Sequence, residues 1–123
     1  MIQVDLLYLN HIIEVINKIQ EYTKDCNLSS FADNTMRYDA VLRNLQTMSE
    51  ATQKLSDQIK IRHSDIPWRD ISGFRNILVH DYLGGIDYEI IWSVISLELP
   101  KLRKVILQEI ELSNTVSTCN HNH

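Results

Sequence analysis

Residues 2–19 read Ile2-Gln3-Val4-Asp5-Leu6-Leu7-Tyr8-Leu9-Asn10-His11-Ile12-Ile13-Glu14-Val15-Ile16-Asn17-Lys18-Ile19. Ile2, Leu6, Leu9, Ile13 and Ile16 recur at alternating spacings of four and three, which is one face of an α-helix. Val4, Leu7, Ile12, Val15 and Ile19 broaden that face. A helix over residues 2–23 is therefore expected. The rest of the chain keeps the same period. The polar segment Lys24 to Asp33, with Asn27, Ser29 and Ser30, reads as a loop, and Asp33 or Asn34 can cap the next helix. From there to Arg62 the apolar residues Met36, Val41, Leu42, Leu45, Met48, Leu55 and Ile59 describe one long helix. Its methionines read as core fillers.

Ser64-Asp65-Ile66-Pro67-Trp68 is a helix start, a polar cap candidate with Pro near the first turn. The third helix is short, from Pro67 to His80 or Tyr82, burying Ile71, Phe74 and Leu78, and Gly84-Gly85 ends it. Asp87 caps a last helix through Ile90, Ile91, Val94, Ile95 and Leu97. Pro100 predicts a kink or break before Leu102, Ile106 and Ile110 continue. Four helices with short connections predict an all-α, antiparallel four-helix bundle over residues 1–112. Residues 113–123 are polar and are expected to fray or be disordered.

Bulk composition agrees with one such domain. The 123 residues suffice for a single core, and three Gly and two Pro leave long stretches without turn signals. Hydrophobic residues at 44% and charged residues at 23% are ordinary for a soluble globular chain. No apolar run is long enough to span a bilayer, and the N-terminus lacks the basic start of a secretory signal. Cys26 and Cys119 stand far apart without a disulfide framework, so a cytoplasmic chain with reduced thiols is expected. A net charge of −4 argues against gripping nucleic acid with the whole surface. A local excess exists where Lys54, Lys60, Arg62, Arg69 and Arg75 outnumber Asp57, Asp65 and Asp70. Taken alone, those charges read as a solvated face of mixed sign.

The chemistry concentrates in Arg75-Asn76-Ile77-Leu78-Val79-His80-Asp81-Tyr82. An arginine can hold a phosphate with a planar fork of donors, and a histidine can move protons near neutral pH. Two readings stand side by side. Arg and His near a helix C-terminus also complement its negative dipole end and cap free carbonyls. On an ideal helix Arg75 and Tyr82 share nearly one face, whereas His80 stands roughly 140° and ~7.5 Å from Arg75. Against the stripe of Ile71, Phe74 and Leu78, His80 then points away from the bundle. Either the helix loosens before Gly84, or His80 faces a second subunit.

This stretch resembles the ribonuclease motif of the HEPN superfamily, in which an Arg, a polar neighbour and a His a few residues on form the active site. The extension to Tyr82 is similar to the HepT-like toxins, partners of MntA-like minimal nucleotidyltransferase antitoxins. The flanks resemble the same family: Asp65-Ile66-Pro67-Trp68-Arg69-Asp70-Ile71 before the motif, and Asp87-Tyr88-Glu89-Ile90-Ile91-Trp92 with Leu97-Glu98-Leu99-Pro100-Lys101-Leu102 after it. The resemblance covers most of residues 1–112. It implies an all-α homodimer whose two motifs face a shared groove, and metal-independent cleavage of RNA, tRNA or mRNA, without a cofactor. Arg75 and His80 would be catalytic, with Asn76 and Asp81 supporting. His80 would take the proton of a ribose 2′-hydroxyl or protonate the leaving 5′-oxygen, and Arg75 would stabilise charge on the phosphate. Tyr82 would be the site of AMPylation by the nucleotidyltransferase, in a toxin–antitoxin system of type VII character. The other function class is a non-catalytic helical partner of a nucleotidyltransferase that holds a nucleotide without cutting RNA.

The remaining candidates have simpler readings. Cys119-Asn120-His121-Asn122-His123 superficially suggests metal ligands or a His-Asn-His nuclease signature, but it fits a disordered tail better. His11 and His63 read as solvated, Trp68 and Trp92 as core or interface anchors. Tyr8, Tyr22, Tyr38 and Tyr88 have no distinguishing context, and no Gly-rich phosphate loop occurs.

Overall fold

The computed structural model describes residues 2–73 and 88–121, with side chains over residues 4–73 and 89–114. All regular structure among these residues is helical. Helix α1 spans Ile2–Thr23 and α3 Thr35–Gln53, with the short α2 at Leu28–Asp33 between them. Two more short helices follow, α4 at Asp57–Arg62 and α5 at Trp68–Ser72. After residue 87 one helical rod runs through α6 at Tyr88–Ser93, a π-helical turn at Val94–Glu98, and α7 at Leu99–His121. It passes residue 112 and stays helical to His121.

Helix α1 buries Leu9, Ile12, Val15, Ile16 and Ile19 completely or nearly so. The stripe centres on Ile12 and Ile19 rather than on Leu9 and Ile13, so Val4 and Leu7 are left exposed. On α3 Tyr38, Val41, Leu45, Met48 and Thr52 are buried, again at spacings of three and four, with Ser49 and Ala51 buried beside them. Met48 is fully buried, as a core filler should be, but Met36 is 85% exposed. Twelve positions at about 100° each place Met36 roughly 120° away from Met48, off the stripe.

Helices α3 and α7 both pack on α1, and both run antiparallel to it. Tyr8 and His11 of α1 share a groove with Thr47, Ala51 and Lys54 near the end of α3. Asn17, late in α1, accepts from Arg103 Nε early in α7 at 3.2 Å, while Asp5 shares a cleft with Leu112. The all-α bundle expected from the periodicities is therefore the observed architecture, with α5 packed on α3 as the described part of the short third helix.

Two segments depart from expectation. Lys24–Asp33 is not all loop. Asn27 Oδ1 accepts from the Ser30 amide at 2.9 Å and Ser30 Oγ from the Asn27 amide at 3.0 Å, a capping box that starts α2. Phe31 holds the short helix down, fully buried with its ring 5.2 Å from Tyr38 and 5.3 Å from Trp92. The long helix to Arg62 is also divided, because the Ser56 amide donates to Asp5 Oδ1 of α1 at 3.0 Å. That contact draws the amide away from the α3 ladder, and a new helix, with Asp57 in its first turn, starts there.

Pro100 shows how the last rod tolerates a residue without an N–H. A proline inside a helix loses one bond and its ring crowds the carbonyl four residues back. Here the preceding turn widens: the Leu99 amide donates to the Val94 carbonyl, five residues back. Helical backbone continues through the proline as a π turn rather than a break.

Candidate functional site

Arg75, Asn76, His80, Asp81 and Tyr82 lie outside the described residues, as do Gly84-Gly85 and Asp87. The structure describes the frame that leads into them. Ser72 is three positions before Arg75, and three sets of contacts hold residues 62–73 in place, two of them reaching α7 and α3.

The first centres on Glu109 of α7, 5% exposed. Its Oε1 accepts from Arg62 Nη2 at 2.5 Å and its Oε2 from Arg62 Nε at 3.3 Å. His63 Nε2 lies 2.8 Å from Oε2, and since a carboxylate only accepts, that nitrogen carries the proton. Burial pushes the Glu109 carboxyl up, but hydrogen bonds from Arg62 and His63, with the attraction of their charges, outweigh it and hold it below its ordinary value. The hydrogen bond to Glu109 raises the Arg62 guanidinium in turn. His63 is thus not the solvated histidine its neighbours suggested; its mostly buried side chain links the end of α4 to α7.

The second tether is the Trp68 indole, which donates to the His63 carbonyl at 2.9 Å with the ring buried. Pro67 precedes α5 at its N-cap position, and Trp68 is the anchor that its size and context suggest. The third is the Ser72 carbonyl, which accepts from Ser49 Oγ at 3.0 Å and Gln53 Nε2 at 2.9 Å. The pairings that reach α3 and α7 are not legible in the sequence. Arg62 and Glu109 are 47 positions apart, and Ser49 and Ser72 are 23, and no local pattern announces a contact at such range.

Of the basic strip, Arg62 is engaged by Glu109, while Lys54 and Arg69 are exposed. A cleft of about 200 Å³ beside the Arg62–Glu109 pair is lined by Asp5, Gln58, Ile59 and Leu112 among others. Asp5 there already serves the Ser56 amide, and the charges are of both signs, so the cleft reads as packing around the ion pair. No helix among the described residues is long and apolar enough to cross a membrane.

Comparison with known proteins bears on the same region. The family model described as "Ribonuclease HepT-like" matches residues 12–109, which include the whole motif. A Methanocaldococcus jannaschii protein named as a gamma-glutamylcyclotransferase and candidate RNase is 36% identical over 105 residues. That match covers 85% of this chain but 47% of the relative, so the chain spans about half of that protein's length. A candidate RNase of the same organism is 34% identical over 99 residues, 80% of this chain and 90% of its own. A Thermococcus cleftensis protein named "Probable ribonuclease HepT" is 31% identical over 96 residues, 78% of this chain and 86% of its own. No solved structure matches at a significant level. With the family model covering residues 12–109, and relatives of similar length at least 30% identical over about four fifths of the chain, this chain belongs to the HepT-like ribonuclease family.

Proposed function

We propose that this chain is a metal-independent endoribonuclease, the toxin of a toxin–antitoxin pair whose antitoxin is a minimal nucleotidyltransferase. The observation that carries the reading is Arg75-Asn76-(three residues)-His80-Asp81-Tyr82 standing inside the matched span. Arg75 and His80 divide the chemistry between them. His80 moves the proton between the 2′-hydroxyl and the departing 5′-oxygen. Arg75 stabilises the charge that builds on the phosphate as the 2′-oxygen attacks, with Asn76 and Asp81 in support. Attack from the 2′-oxygen confines the reaction to RNA, tRNA or message, and leaves a 2′,3′-cyclic phosphate.

The protein acts as a homodimer whose two motifs face a shared groove. Control falls on Tyr82, whose phenol receives AMP from the nucleotidyltransferase. The test uses the purified full chain on RNA in the presence of EDTA. Arg75→Ala and His80→Ala should each lower cleavage by about 10²-fold or more without altering the circular dichroism. Cleavage that needs a metal, or parent rates in His80→Ala, would refute the mechanism. A folded parent chain that binds nucleotide, cuts no RNA and causes no growth arrest would favour the non-catalytic partner instead.

A further inference from the structure

We infer that Ser49 and Gln53 are positioning residues for that chemistry, acting through the Ser72 carbonyl that precedes the motif. The inference rests on the reading of Arg75 and His80 as the catalytic pair. Ser49 and Gln53 are four residues apart on α3, hence on one face, and both donate to the same oxygen, at 3.0 and 2.9 Å. Ser72 is the last residue of α5, so its carbonyl has no partner within its own helix. Water would satisfy it at no cost in core packing. Instead the fold places a hydroxyl at position 49, fully buried beside Met48, where an apolar side chain would contribute more burial.

Helix α5 has five residues, too few to hold its own direction, since an isolated helix of one or two turns is marginal in water. Its far end must be located by tertiary contacts. Trp68 fixes the beginning through the His63 carbonyl, and the Ser49–Gln53 pair fixes the end. Gly73 follows, with its amide shared between the Arg69 and Asp70 carbonyls at 2.9 and 3.2 Å. From Ser72 to Arg75 is three residues, at most ~11 Å of chain. Holding the Ser72 carbonyl therefore bounds the position open to Arg75 to within that reach. A reacting group misplaced by ~1 Å can cost ~10²-fold in rate.

The test compares Ser49→Ala, Gln53→Met, the double variant and Gln53→Lys, which keeps N–H donors at an exposed position. Val41→Ala, a core change elsewhere on α3, serves as the control for lost stability. Each protein is assayed for kcat and KM on RNA, for Tm, and for amide hydrogen exchange at residues 73–82. The double variant should lose about tenfold or more in kcat with KM within about twofold, and Gln53→Lys should keep the parent kcat. Exchange at residues 73–82 should quicken in the double variant while the middle of α1 stays protected. Parent kcat in the double variant, or an equal loss of kcat in Val41→Ala at matched Tm, overturns the inference. If the parent chain cuts no RNA, the proposed function fails, and exchange alone decides the clamp: unchanged rates at residues 73–82 refute it.

Discussion

Glu109 is a buried carboxylate whose value to the fold depends on two partners from another part of the chain. Arg62 is about half exposed and Glu109 is not, so solvent screens the guanidinium and the pair is weaker than a fully buried one. The sign of its pH dependence comes from the depressed carboxyl. A group ionising more readily in the folded chain than in the unfolded one stabilises the fold at full strength above the ordinary carboxylate range. That contribution is lost as pH falls through the folded value. Glu109→Gln should cost about 1–3 kcal/mol at neutral pH, and the difference from the parent should vanish once the carboxyl is protonated. Urea unfolding across a pH series measures it. A difference that stays constant into acid would mean the ion pair is not what Glu109 contributes.

Among the elements, α2 shows what a local signal can and cannot reveal. Asn27 and Ser30 are visible in the sequence as polar residues, and polarity alone reads as loop. Their hydrogen bonds and the buried ring of Phe31 turn the same residues into a capped helix. Asn27→Ala should therefore lower stability by about 1 kcal/mol, visible in Tm, whereas a change at exposed Ser29 should do little. Equal effects at the two positions would show that the cap contributes nothing.

The long helices are legible because burying one face imposes a period on the sequence, as Tyr38, Val41, Leu45, Met48 and Thr52 illustrate. The division at Ser56 is not, since an aspartate 51 residues away causes it. Pro100 is legible as an irregularity, but its form, a π turn ending in the Leu99–Val94 bond, depends on how the whole rod packs. The candidate site obeys the same rule. Its residue types and spacing lie close together in sequence and can be read, whereas the clamp on Ser72 spans helices and cannot.

For the whole molecule, the net charge of −4 leaves RNA affinity to a few local cations, and Arg75 is chief among them in the proposed function. A regulator can then work at one point. Tyr82 is seven positions from Arg75, nearly the same helical azimuth if the helix is regular there. AMP on its oxygen would set an anionic phosphodiester and a bulky nucleoside beside the arginine, in competition with the RNA phosphate. In a homodimer with a shared groove, an adduct on either subunit would obstruct both motifs. Co-expression with the cognate nucleotidyltransferase should therefore add mass in whole AMP units and remove toxicity, while light scattering shows a dimer in both states. Tyr82→Phe should stay unmodified at that position and remain toxic beside the partner enzyme, since cleavage as proposed asks nothing of the phenol. Intact-protein mass spectrometry with peptide mapping decides the matter. Adducts confined to Tyr8, Tyr22, Tyr38 or Tyr88 would move the control site elsewhere, and a strict monomer would remove the shared groove on which obstruction of both motifs depends.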